Sequence, residues 1–325
     1  MKGLKLAKKY FFEYGIDFLK QEFSDIYKYI AVGFVGSGSD KYGFDDDISM
    51  DHDYSVGFCI FIPDEDIIDE KTEFKLQRGY SKLPNEYMGI KRQILSPVGG
   101  NRDGVIRTKT FYEKTVGLRN NELTIMDWLT IPDYCLFEAT DGEVFVDNYG
   151  EFTNIRNYLR NMPSDIKYKR IAGNLLLMAQ SGQYNFMRCI KRGEVGAAQF
   201  ALNEFVVSAL KIIFLLNDKY CPYYKWSFRA LKEIDEYDDL YKKLIFILTK
   251  DNSDKNIVRQ KNVLIDEVAS YYINILKQKN MTKSTTNDLE NQAYSLNDCI
   301  KNNDIRNMNI FVGVWYISFI FKCMT

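Results

Sequence analysis

The sequence predicts an α/β N-terminal half followed by an all-α C-terminal half. Two patterns separate them. Through about residue 155, short apolar runs stop at glycine, serine or proline; beyond it, apolar residues recur every three or four positions. Charge divides at nearly the same place. Residues 1–150 carry 18 basic against 26 acidic side chains and residues 151–325 carry 25 against 18, net −8 and +7. A chain of 325 residues has room for two domains at roughly 100–200 residues each, and we read them as 1–155 and 156–325. An acidic half suits cation binding, and a basic half suits an anionic ligand.

The opening stretch MKGLKLAKKYFFEYGIDFLKQEF is an amphipathic helix. Acidic residues from Glu13 onward and the lack of an unbroken apolar core set it apart from a signal peptide. Ile30–Val35 fits a buried strand that turns at Gly36-Ser37-Gly38-Ser39. After a polar segment, Tyr54–Ile62 reads as a second strand, ended by Pro63. Residues 64–83 predict a helix, with Asp64, Glu65 and Asp66 at its positive end. Further strands are expected at Gly104–Phe111 and Glu143–Asp147, the latter leading into the turn Asn148-Tyr149-Gly150. After the polar hinge 160–164, helical spacing marks 171–181, 196–217, 227–234, 237–249, 257–277 and 289–299. Glycine and proline are sparse inside these segments, as helix interiors require. The apolar run 310–321 is too short for a hydrocarbon layer of about 30 Å and reads as a buried terminal helix. The expected location is the cytoplasm, with no membrane contact.

Composition narrows the chemistry. Hydrophobic residues at 46% and charged residues at 27% describe an ordinary folded chain and exclude wholesale disorder. The six cysteines contain no C-x-x-C pair, so neither a disulfide framework nor a zinc knuckle is indicated, and most read as small buried apolar groups in a reducing compartment. His52 is the only histidine, which excludes a multi-histidine metal site. Basic residues are interleaved with acidic ones, which argues against a nucleic-acid-binding stripe.

The segment 34–53, FVGSGSDKYGFDDDISMDHD, is the most informative. A strand ends in Gly36-Ser37, and Asp51-His52-Asp53 follows 14 residues later at the head of the next strand. Small residues after the strand let backbone N–H groups approach a phosphate chain, with the Ser37 and Ser39 hydroxyls as extra donors. Residues two apart in a strand share a face, so Asp51 and Asp53 present two carboxylates side by side. Such a pair is costly unless cations neutralise it, and all-oxygen ligation suits Mg²⁺ bridging to phosphates.

This pattern resembles the DNA polymerase beta-like nucleotidyltransferase superfamily. The longer string GSGSDKYGFDDDISMDHDYSVGFCIFI is similar to a bacterial family of nucleotidyltransferase-like proteins of about this length. The later stretches GEVFVDNYGEFTNIR, AQSGQYNFMRCIKRGE and NDKYCPYYKWSFRAL continue the similarity, and the helical half resembles the C-terminal domains of antibiotic nucleotidyltransferases. The resemblance implies a nucleotidyltransferase-type mixed sheet flanked by helices, followed by a helical bundle. It implies that Gly36 and Ser37 hold a triphosphate, ATP by default, that Ser39 adds a contact, and that Asp51 and Asp53 bind metal. Relatives usually carry an apolar residue where His52 stands. Many also have a third carboxylate on a later strand, for which Glu113 is the first candidate and Asp103 the second.

Elsewhere, Asp45, Asp46 and Asp47 read as a solvated acidic loop, and the pleat aims His52 away from its neighbouring carboxylates. Arg188 and Arg192, four apart on one helix face, are candidate phosphate or acceptor contacts. The aromatic cluster Tyr223, Tyr224 and Trp226 reads as core. The expected reaction transfers a nucleoside monophosphate from a triphosphate to a hydroxyl or amine of an acceptor, with pyrophosphate leaving. The alternatives are an inactive nucleotide- or partner-binding module and a toxin–antitoxin nucleotidyltransferase, the latter disfavoured because RNA affinity needs cationic phosphate contacts.

Overall fold

The computed structural model describes residues 1–49, 55–92, 102–119 and 122–314. These form two compact units. The first comprises Met1–Leu123 and Cys135–Asn161, and the second Thr124–Tyr134 and Met162–Thr325. The first unit therefore runs past residue 155 to Asn161, and a short stretch inside the α/β half of the sequence belongs to the helical unit.

The first unit is mixed α/β. Its sheet contains β1 (Ala31–Phe34), β2 (Cys59–Ile62), β5 (Gly104–Arg107) and β6 (Glu143–Asp147), in the order β5-β2-β1-β6. A separate hairpin pairs β3 (Glu86–Tyr87) with β4 (Ile90–Lys91). β1 runs antiparallel to both β2 and β6, whereas β5 runs parallel to β2. The central strands AVGF and CIFI are buried at every position. Strands covered on both faces have no reason to alternate polar and apolar residues. Edge strand β6 is only half-buried throughout.

Helices of this unit are α1 (Gly3–Tyr10), α2 (Ile16–Glu22), α3 (Ser24–Tyr27), α4 (Glu70–Ser81) and α5 (Thr108–Val116). A π-helical turn, Phe11–Gly15, joins α1 to α2. They bury Leu6, Tyr10, Phe11, Leu19 and Leu76 against Val32, Phe58, Ile60 and Ile62. After α6 (Ile125–Thr130) and α7 (Asp133–Thr140) comes α8 (Glu151–Arg160). Two arginines of α8 close the end of α7: Arg156 donates through Nε and Nη2 to the Thr140 carbonyl at 3.1 and 2.9 Å and through Nη2 to Gly142 O at 2.7 Å. Arg160 adds two bonds to the same Thr140 oxygen. Cations on the last carbonyls also complement the helix dipole. Burial of the Arg156 guanidinium lowers its pKa to about 10.

The second unit is helical: α9 (Ser164–Met178), α10 (Met187–Lys191), α11 (Val195–Leu216), α12 (Tyr224–Lys232), α13 (Asp238–Thr249), α14 (Lys255–Gln278), α15 (Leu289–Asp298) and α16 (Asn303–Asn307). A π-helical segment, Ala179–Phe186, joins α9 to α10. Among the described residues, α11 alone is long and apolar enough to cross a membrane, yet most of its apolar length is buried among its neighbours. Buried Lys169 ties α9 to α15 and to the chain beyond it, donating to Asn297 Oδ1 at 2.8 Å and Met308 O at 2.7 Å.

Several expected elements shift. The helix of 64–83 begins at Glu70, because the Asp69 carboxylate takes the Thr72 N–H at 2.7 Å and fixes the cap there; Asp64 closes a turn instead. β5 stops at Arg107 and α5 takes over at Thr108, so the strand expected through Phe111 is half the length. Of the strand expected over 54–62, Cys59–Ile62 is strand, 55–58 is not, and Tyr54 lies outside the described residues. Of the expected terminal helix, residues 310–314 are described, and Ile310–Gly313 form a short 3₁₀ turn.

Candidate functional site

Register places the site. Gly33 of β1 lies opposite Cys59 of β2, and Cys59 lies opposite Gly104 of β5. One end of the sheet therefore emits three segments: the loop after β1, the chain entering β2, and Arg102-Asp103 entering β5.

The loop after β1 makes a tight bend at two glycines in left-handed backbone, Gly36 at φ +98° and Gly38 at φ +136°. At Gly38 the requirement is also one of space. A Cβ there would stand 2.0 Å from Arg102 Nη2 and 2.4 Å from Asp40 Oδ1. Ser37 faces solvent, whereas Ser39 is buried and its carbonyl accepts the Phe44 and Asp45 N–H groups at 2.8 and 3.1 Å. Among the described residues the amides of Ser37 and Ser39 donate to no partner. Successive unclaimed N–H groups in such a bend form an anion-binding concavity.

Four charges brace the loop. Arg102 Nη2 donates to Ser37 O at 3.1 Å and to Asp40 Oδ1 at 2.9 Å. Lys41, only 3% exposed, donates to Arg102 O at 2.7 Å and lies 3.7 Å from Asp103 Oδ1. Burial raises the Asp40 carboxyl above the ordinary aspartate range, although Arg102 and Lys41 pull the other way. Cys59 Sγ contacts Arg102 O at 3.3 Å, and burial pushes its thiol up to about 11. Asp103 Oδ1 is buried and receives no hydrogen bond among the described residues.

Asp40, Lys41 and Arg102 were not anticipated from the sequence. The available signal was a Lys and an Arg flanking the glycine–serine bend and the β5 entry, each beside an aspartate. Of the two third-carboxylate candidates, Asp103 stands at this end of the sheet. Glu113 does not. It lies on α5 beyond the strand, half-exposed and 3.6 Å from Arg119. Asp51, His52 and Asp53 fall outside the described residues. Among the described residues no cluster of three or more His, Cys, Asp or Glu side chains is arranged to hold a metal ion.

Other expectations change. Asp46 and Asp47 are solvated, but Asp45 is buried and accepts the Gly3 N–H at 2.9 Å, capping α1 from a distant loop. Lys2 pairs with it at 3.8 Å. Tyr223 and Tyr224 are 41% and 68% exposed rather than core. They border a cavity of the second unit. Arg188 on α10 and Arg192 at its C-terminal cap are exposed on the second unit, with the Arg188 guanidinium 5.6 Å from the Tyr184 ring.

Residues 128–227 match a family model described as Domain of unknown function (DUF4037). No curated protein matches the chain. Among solved structures, a nucleotidyltransferase-like protein from Exiguobacterium sibiricum 255-15 is similar over 87% of this chain and 90% of that chain, at 9% identity and a TM-score of 0.38.

Proposed function

We propose that the first unit is the catalytic part of a Mg²⁺-dependent nucleotidyltransferase. It would move a nucleoside monophosphate from a triphosphate, ATP by default, to a hydroxyl or amine of an acceptor in the cytoplasm. One observation carries the reading. The Gly36–Ser39 bend and Asp103 leave the sheet at the same end, on strands that flank β2, and β2 is the strand that Asp51-His52-Asp53 precedes in sequence.

Asp51 and Asp53, with Asp103 as third carboxylate, would hold the ion. The fit rests on Asp103 Oδ1, a buried acceptor that receives no hydrogen bond among the described residues. When bound, Mg²⁺ draws charge from polyphosphate oxygens and eases pyrophosphate departure. The chain's own contribution is positioning: the Ser37 and Ser39 amides and the Ser37 hydroxyl grip phosphate oxygens, while Arg102 holds the bend in shape. Arg188 and Arg192 are proposed as anion contacts of the second unit, with a raised KM in R188A and R192A as the expected sign.

Pyrophosphate release, measured across a panel of triphosphates and acceptors, tests the reading. Activity is expected in the wild type and lost in Asp51→Ala and Asp53→Ala; full activity in both variants refutes it. The Lys41–Asp103 pair favours a second reading, a nucleotide-binding module without turnover, because a cation already neutralises the candidate third acid. That reading expects triphosphates to raise the melting temperature without any product.

A further inference from the structure

Helix α11 buries one face and leaves the other open. Leu202, Phe205, Ala209 and Ile213 are fully buried, whereas Ala197, Phe200, Asn203, Glu204 and Val207 are exposed and Lys211 is half-buried. These six open positions recur at steps of one to four residues and form a single stripe along the helix. Phe200 is 77% exposed and meets no other ring among the described residues. Lys211 forms no ion pair among the described residues. Eleven positions after Phe200, about 16 Å along the axis, the stripe runs into a cavity of about 200 Å³ whose lining includes Val207, Leu210, Lys211, Tyr223 and Tyr224. That is smaller than the ~300–1,000 Å³ of pockets that enclose a ligand, but it admits one aromatic ring. Knob and hole therefore share one helix face, the condition for a two-fold contact in which each copy presents both.

We propose that α11 is the contact between two copies of this chain, packed antiparallel about an axis between residues 205 and 206. That register sets Phe200 opposite the partner's Lys211 and Glu204 opposite the partner's Val207. The partner's Phe200 enters the tyrosine-walled cavity, with the Lys211 ammonium over its ring. The partner's Glu204 lies one helical turn farther on, within reach of Lys211, and supplies its counter-charge. Charge also selects the orientation, because a parallel pair would set Lys211 against Lys211 and Glu204 against Glu204. Two single helices make a contact at the low end of specific interfaces, about 1,200 Å² in total, which suits a micromolar dimer.

Analytical ultracentrifugation of the full chain, from low to high micromolar concentration, tests this. The wild type is expected to pass from monomer to dimer. Phe200→Asp, at an exposed residue, is expected to weaken the dimer about 30-fold or more, as loss of an aromatic anchor does. Phe74→Asp, at a phenylalanine of α4 that is 63% exposed, is expected to leave it unchanged. Glu204→Lys and Lys211→Glu should each weaken it about tenfold, and the two combined should restore it. A wild type that stays monomeric overturns the proposal, and one that then floats with phosphatidylglycerol vesicles gives the stripe to a lipid surface instead. Open-ended association overturns it too, since a two-fold contact closes at two copies. So does a dimer indifferent to Phe200→Asp, or a double reversal as weak as the single changes.

Discussion

Replacing Gly38 by alanine is the sharpest perturbation of the bend. At φ +136° an L-residue carries backbone strain of roughly 1–2 kcal/mol. The new Cβ also claims space held by Arg102 Nη2 and Asp40 Oδ1. Arg102 is the flexible partner and must swing off, which removes a charged hydrogen bond worth about 1.5–3 kcal/mol. Asp40 is 3% exposed and cannot follow into water. The combined cost is about 3–5 kcal/mol. Gly43→Ala supplies the control, since φ is +72° there but nothing lies within 4 Å of the added carbon, leaving strain of about 1 kcal/mol. Amide exchange of β1 and β2, followed by mass spectrometry, reads the difference. About 2–4 kcal/mol between the variants corresponds to exchange some 30- to 900-fold faster in Gly38→Ala. Equal exchange in the two variants would show that the Arg102–Asp40 contact does not hold the bend.

Four further outcomes follow from the same contacts. Arg156→Met removes three hydrogen bonds from the Thr140 and Gly142 carbonyls and is expected to destabilise by about 2–3 kcal/mol, read from the urea midpoint; Arg160 keeps the loss from being larger. Ser37→Ala, at an exposed hydroxyl, should raise the KM for triphosphate without lowering the melting temperature, and Ser39→Ala, at a buried one, should lower the melting temperature. Because Asp40 holds its proton above the ordinary aspartate pKa, its contribution is fully present below that ordinary value and is lost as pH rises through the raised one. The stability difference between wild type and Asp40→Asn should therefore shrink with increasing pH across that window. Cys59, buried with its thiol pushed up to about 11, should be alkylated at pH 8 far more slowly than half-buried Cys189 and Cys299, as peptide mass spectrometry would show.

Much of the architecture was legible because local pattern and burial agree. AVGF and CIFI are apolar at every position and end at glycine–serine or proline, and the structure buries them on both faces. The long helices after Ser164 have the expected spacing because packing selects for it. Boundaries failed where one side chain decided them. Asp69 rather than Asp64 caps α4, and choosing between acidic residues five apart needs the tertiary position of the turn before them. Asp45 looked like any member of an acidic run until Gly3, 42 residues away, came to meet it. Lys41 and Arg102 were invisible for the same reason: their meaning lies in a contact 61 residues long. Tyr223 and Tyr224 misled in the other direction, since aromatic side chains near proline line a cavity as readily as they fill a core.

The path of the chain between the units has a consequence for how such a protein can be divided or inherited. It enters the helical unit at Thr124, leaves after Tyr134 and returns at Met162. A fragment starting at residue 162 would carry the Arg170 guanidinium without the Trp128 and Ile131 carbonyls that receive it. No single scission therefore yields two autonomous modules, and recombination that swaps the bundle as a cassette must carry an eleven-residue insert from the other side of the join.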